Sequence, residues 1–238
     1  MSLKTGKKPF KMHAKTLFFE KYAGDAIPEA PEKVYWGYKV PEDQWGMLGN
    51  DQKGDCVVAG CMHMDMNWTA HTGTMRTYTE EQAFEIYDRL SPDDSGLVVT
   101  DFLNFWQTEG FFGSKILGWA QFNHANPKRF NQVDWLFGGV ATGVQIPASA
   151  QDQFAANEPW SLVPDSPNDG GHFIPGFNYG ADGRKFVTWA KLQAALNDWL
   201  AAYVDEAYGV ISEAWFDTVD VAPNHFNKDA LWADLKAL

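Results

Sequence analysis

Gly49-Asn50-Asp51-Gln52-Lys53-Gly54-Asp55-Cys56-Val57-Val58-Ala59-Gly60 decides how the rest of the 238-residue chain is read. A polar, glycine-punctuated loop runs into a segment of helical character, with a cysteine at the junction. Asp55 is a suitable N-cap, which makes Cys56 the first helical residue, where unpaired backbone N–H groups and the positive end of the helix dipole converge. Both influences favour thiolate over thiol and lower a cysteine pKa. Asn50 and Gln52 carry side-chain amides that can aim N–H donors at an oxygen developing beside the sulfur, as acyl transfer requires. The competing reading of Cys56 is a small buried residue opening a core helix.

Downstream, Val57, Cys61, Met64 and Trp68 recur at helical spacing, so the helix runs from Cys56 to about His71 with one core stripe. His63 lies two turns along it, about 10 Å from Cys56, too far to serve as the base of that thiol. Thr79-Glu80-Glu81-Gln82 is a capping box that opens a helix to about Leu90. Another helix is expected from Thr100 to Thr108, and a strand from Lys115 to Phe122. Lys33 to Val40 alternates enough for a short strand. Trp135 to Val140 and Gly143 to Ile146 are apolar, glycine-broken runs expected as buried strands, followed by a loop from Ser149 to Asp169. Gly170-Gly171-His172 opens a further strand, Gly180 to Gly183 turns the chain, and Lys185 to Trp189 returns as a hairpin. A helical stripe runs from Leu192 to Tyr203, a last strand from Tyr208 to Ile211, and a terminal helix over 228–238. Helices first and strands later give an α+β class with two packed halves.

Among the six histidines only His172 combines flanking glycines, a strand start and a hairpin behind it. Such a platform can hold an imidazole where a thiol reaches it, activating the sulfur and then protonating the leaving group. No phosphate-cradling glycine pattern and no GxSxG elbow is present. The two cysteines are five residues apart on one predicted helix, so both are read as free thiols of a reducing, cytoplasmic compartment. No metal-ligand spacing occurs, and no cofactor is expected.

A net charge of -12 argues against a nucleic-acid surface. Lys4, Lys7, Lys8, Lys11 and Lys15 make the first residues basic, and residues 1–30 are read as an irregular, solvated tail. No stretch approaches the roughly 18 apolar residues of a membrane span, and no secretory signal is read at the start. Most of the 11 tryptophans are expected in the core or between lobes.

The chain resembles the papain-like cysteine peptidases. Pro31 to Trp36 resembles the opening of their mature chains. Asp94-Ser95-Gly96 is similar to the glycine-marked middle of their first lobe, and Leu136 to Ile146 to the strands opening the second. Gly171-His172 followed by Gly176-Phe177-Asn178-Tyr179-Gly180 resembles their histidine strand and Gly-Tyr turn. The resemblance covers residues 31 to 190. It implies a single two-lobed domain over 31–238, with a helical lobe at about 41–125 and a sheet lobe at about 126–215. It also implies Cys56 as nucleophile, His172 as acid and base, and a groove lined by Gly54, Asp55, Gly171 and Trp189. The family's oxyanion glutamine stands six residues before its cysteine; here Asn50 holds that place and Gln52 lies four before, so either amide is a candidate. The asparagine that orients the family's histidine is replaced by Thr188, followed by Trp189. Val57 stands where a tryptophan often follows the nucleophile. The stretch before Cys56 is read as leaving no room for an inhibitory pro-domain.

Three readings follow as expectations, the third being a plain α+β binding domain unrelated to this family. The first is a cysteine hydrolase of compact bacterial or phage type acting on a peptide or amide through Cys56 and His172. The alternative is a non-catalytic papain-fold structural or binding protein of phage or prophage origin, with a virion as its place and partner. Thr188 and the displaced glutamine favour the alternative; the retained cysteine and histidine favour the enzyme.

Overall fold

A computed structural model describes residues 3–22, 29–218 and 233. The expected terminal helix over 228–238 lies outside the described residues save for 233. Along the chain come β1 (Leu17–Phe18), α1 (Phe19–Tyr22), β2 (Val34–Tyr35) and a pair of 3₁₀ turns at Trp36–Lys39 and Glu42–Gln44. Helices α2 (Cys56–His71), α3 (Glu80–Leu90) and α4 (Val99–Thr108) follow, then β3 (Gly118–Gln121), α5 (Pro127–Phe137), β4 (Val140–Pro147) and α6 (Ala148–Ala155). The chain continues through β5 (Asn168–Tyr179), β6 (Gly183–Thr188), β7 (Lys191–Leu196), α7 (Asn197–Tyr203), β8 (Val204–Ile211) and α8 (Glu213–Thr218). The strands form one sheet in the order β1-β3-β8-β4-β5-β6-β7, with β2 added to β5. This is a mixed α+β fold with its helices gathered in the first half and its sheet in the second.

Helix α2 spans the residues expected, but it is not amphipathic: every position from Cys56 to Thr69 is buried. It is the central rod of the molecule, packed on one side by α3 and α4 and on the other by β5. Its polar residues are therefore committed to structure. Asp65 accepts from Arg76, Tyr78 Oη and Ser114 Oγ, while His63 Nε2 pairs with Trp45 O at 2.7 Å. Asn67 and Trp68 donate to the carbonyls of Gly138 and Phe137, tying the rod to the second half. The Thr79–Gln82 capping box forms as read.

Several elements differ from expectation. Trp135 to Phe137 is the last turn of α5 and not a strand. Asn126 caps that helix by accepting from Arg129 N–H, Pro127 begins it, and left-handed Gly138 ends it, a set of start and stop signals that outranks the apolar run. Residues 148–155 form α6 inside the expected loop. Lys33 to Val40 contributes only β2 before turning into 3₁₀ geometry. Leu192 to Leu196 is strand β7, because the two-residue turn Trp189-Ala190 sends the chain straight back along β6 with Thr188 opposite Lys191. Sheet pairing overrides the helix preference of that leucine- and alanine-rich segment. Only Trp199, Leu200 and Tyr203 of the expected stripe are on a helix. Among the described residues, six tryptophans (45, 68, 106, 119, 160 and 199) are fully buried, which makes them core residues.

The basic N-terminal segment is not a solvated tail. Residues 3–8 lie between the two halves, and Lys7 is only 5 % exposed. Gly6 and Lys7 N–H both reach Gly171 O, at 3.1 and 2.9 Å, on the sheet side. On the helical side Leu97 N–H donates to Gly6 O, and Lys8 N–H donates to Leu97 O, both at 2.8 Å. Leu3 exchanges hydrogen bonds with Gln151, and Lys8 Nζ donates to Ser95 Oγ. We call residues 3–8 the strap.

Candidate active site

Cys56 is the first residue of α2, and His172 lies on β5, opposite Val144 of β4. The backbone N–H of Phe173, the residue after His172, faces the Cys56 sulfur, as does that of Gly6 in the strap. The expected activation of the thiol is not what the covered site displays. Burial pushes the Cys56 thiol up to about 12, against the smaller favourable pull of those N–H groups and of Lys7. Asp55 provides no side-chain cap to the helix. Its carboxyl is fully buried and raised to about 8, chiefly by desolvation, with Asn50 acting in the opposite direction. Helix-end electrostatics are present, but removal of water outweighs them.

His172 is likewise fully buried, and desolvation lowers it to about 3. Its Nε2 lies 2.7 Å from Thr188 Oγ1, while Nδ1 is buried with no hydrogen-bond partner. The Trp189 ring stacks on the imidazole at a centroid separation of 4.5 Å and an angle of 19°. Trp189 and Ala190 have φ of 43° and 68°, so two residues with side chains occupy a turn that favours Asn-Gly. That arrangement costs on the order of 1–3 kcal/mol per residue and persists because Trp189 is held from several sides. It packs edge-on to Phe154 and Trp160 and donates Nε1–H to Lys4 O in the strap.

The two candidate amides lie apart. Asn50 is buried and lines the same small cavity as Cys56, Gly60, His63, Thr188 and Trp189. Gln52 is exposed and donates to Glu80 Oε1, facing away. The cavity measures about 10 Å³, roughly the room one water needs. Gly54 and Gly171 contact the strap directly: a Cβ on Gly171 would lie 2.2 Å from Lys7 O, and one on Gly6 would lie 1.8 Å from Gly54 O. Asn50, Cys56, Thr188 and Trp189 thus share one cavity, His172 is held against Thr188 and Trp189, and Gly54 and Gly171 meet the strap. Sequence reasoning missed Gly6, Lys7, Leu97 and Glu206. One glycine in a lysine-rich stretch carries no pattern that announces burial.

The fold has precedents among solved structures. Xylellain, a cysteine protease from Xylella fastidiosa, superposes with a TM-score of 0.67 at 11 % identity, covering 89 % of this chain and 98 % of that one. The fold is that of the papain-like cysteine proteases. Procathepsin B of Trypanosoma congolense matches this papain-like chain with a TM-score of 0.62 at 10 % identity, over 88 % of this chain and 87 % of the other. Procathepsin L2 of Tenebrio molitor gives 0.60 at 14 %, over 85 % and 76 %. No protein-family model and no curated protein sequence matches the chain. The likeness is one of papain-like architecture.

Proposed function

We propose that the protein is a papain-like cysteine hydrolase of peptide or amide bonds whose cleft is occupied by its own strap. The observation that carries this reading is the His172 ring. Thr188 holds one nitrogen, Trp189 covers one face, and the other nitrogen is left without a partner beside the backbone that faces Cys56. With Nε2–H donated to Thr188, Nδ1 carries the lone pair that takes the proton from Cys56. The sulfur then attacks the substrate carbonyl carbon, and the carbonyl π electrons move to oxygen. Cys56 N–H and the Asn50 amide are the donors for that oxyanion. As the tetrahedral intermediate collapses, the C–N bond breaks and Nδ1–H passes to the leaving amine. Water attacks the resulting thioester, giving its proton to Nδ1, and the acid leaves with the thiol restored.

The alternative of a non-catalytic papain-fold protein is favoured by the burial of the Cys56 thiol, which pushes its pKa up to about 12. The two readings part in a simple experiment. Incubation of the Gly6→Val chain, in which a Cβ at residue 6 clashes with the Gly54 carbonyl and unseats the strap, with a peptide thioester, acid quench and mass spectrometry are expected to give an acyl adduct on Cys56, absent when Cys56→Ala is added. No adduct on Cys56, or one confined to Cys61, contradicts the enzyme.

A further inference from the structure

Asp55 has the place of a helix cap and none of a cap's contacts. A capping residue has extended backbone, which lets its side-chain oxygen accept from the first helical turn. Asp55 instead has φ of −94° and ψ of 15°, and its side chain caps nothing. The carboxyl is fully buried, and neither oxygen makes a hydrogen bond among the described residues. It does not line the cavity shared by Cys56 and Asn50, so it lies behind the sulfur and away from the entry. An ionised carboxylate without partners is costly to bury, and such a group takes up a proton instead. The charges around it do little to prevent this. Asp94, between α3 and α4, raises Asp55 further, while itself accepting from Gly54 N–H at 2.9 Å and Tyr87 Oη at 2.8 Å. Lys53 acts in the opposite direction but is bonded to Asp88. Lys7 faces the sulfur, with its Nζ committed to Glu206 and Asp205, each at 3.0 Å. Asn50 is the neighbour that matters. One N–H of its amide has Lys53 O as acceptor at 3.4 Å. The other can go to a developing oxyanion or to Asp55, whose ionised form the Asn50 amide favours.

We propose that Asp55 is the positioning residue of the oxyanion site. Protonated, it leaves the second Asn50 N–H to the substrate oxygen; ionised, it draws that N–H onto itself. The inference rests on the hydrolase reading above and adds to it an alkaline limit set behind the nucleophile. Burial raises Asp55 to about 8, so the protonated form prevails at pH 7 and is lost as pH rises through that value. Ionisation also sets a negative charge beside Cys56 and opposes its thiolate.

One test needs no turnover. The infrared difference between the native and Asp55→Asn chains at pH 6 is expected to contain the carbonyl stretch of a protonated carboxyl. Its absence overturns the inference whatever Cys56 does. The second test uses the Gly6→Val chain and compares two rates at Cys56 across pH, acylation by a peptide thioester and alkylation by iodoacetamide. Both reactions need the thiolate, but only acylation forms an oxyanion, so their ratio reports the Asn50 donor. Loss of an oxyanion donor costs about 100-fold or more, so the ratio follows the protonated fraction of Asp55. It is expected to fall about tenfold between pH 7 and pH 9. Adding Asp55→Asn, or Asp55→Ser should the first variant fold poorly, is expected to hold the ratio level across that range. Asn50→Ala is expected to keep it low and level. A level ratio in Gly6→Val overturns the inference, as does a fall that survives both Asp55 substitutions. No acylation at any pH, in a chain whose Cys56 is alkylated, defeats the hydrolase and this inference with it.

Discussion

Gly6→Val is expected to speed alkylation of Cys56 by iodoacetamide at neutral pH by about 100-fold. A Cβ at residue 6 would lie 1.8 Å from Gly54 O and 2.3 Å from Gly54 C. Both are backbone atoms ahead of α2, and no side-chain rotation can clear them. Unseating the strap forfeits its paired backbone hydrogen bonds to Gly171 and Leu97, each worth about 1 kcal/mol net. About 3 kcal/mol in the opening equilibrium is about two decades in the rate of a reaction that needs opening. Most of the fold does not depend on the strap, since the principal core cluster around α2 contains none of its residues. Thermal unfolding is therefore expected to stay cooperative. Cys61, fully buried on the same helix, is the internal control, and peptide mass spectrometry reads both thiols in one sample. Unchanged protection of Cys56 would mean that the strap is not what closes the site.

Once the strap is displaced, His172 is expected to dominate turnover. In the Gly6→Val chain, His172→Ala should lower hydrolysis of an activated peptide ester by roughly 10²–10⁴-fold, the range typical of general acid–base catalysis. Thr188 acts through the imidazole and is a positioning residue. Thr188→Val keeps the shape but removes the acceptor at 2.7 Å, and a fall of about tenfold is expected, in line with loss of one supporting hydrogen bond. Thr188→Asn restores an acceptor oxygen and should recover the pH profile of the parent. A merely structural role for Thr188 would change stability without moving that profile. Equal rates in the parent and His172→Ala chains would remove the imidazole from the mechanism.

The parts of the site carried by short-range chemistry were legible from the chain. Gly54-Asp55-Cys56 marks a helix start because loop glycines precede an apolar segment, and α2 begins at Cys56, although Asp55 gives it no side-chain cap. The hairpin that carries Thr188 and Trp189 was readable from the Gly180–Gly183 turn, and the helical first half from its capping box. Other elements were hidden for separate reasons. Leu192 to Leu196 has a helix-like composition and becomes a strand only because β6 is beside it. Trp135 to Phe137 has the apolar look of a strand, yet Asn126-Pro127 and Gly138 bracket it as the end of a complete helix. The strap was invisible because its contacts lie some 90 to 200 residues away, at Leu97, Gly171 and Glu206. A lysine destined for a carboxylate looks in sequence like any solvated lysine. The same burial explains why the thiol pKa is raised and not lowered: the helix terminus favours the thiolate, and the cover over it excludes water.

The most direct test of the central claim, a cysteine–histidine pair held closed by the strap, is the pH profile of Cys56 alkylation in the native chain and in Gly6→Val. In the native chain burial holds the thiol near a pKa of 12, so its thiolate fraction and reactivity stay low through pH 9. In Gly6→Val, water and His172 are predicted to favour the thiolate–imidazolium pair. Reactivity should then appear well below the ordinary thiol value of about 8.5, and His172→Ala should return it there. A Gly6→Val profile that rises only near 8.5, with or without His172, would contradict the account.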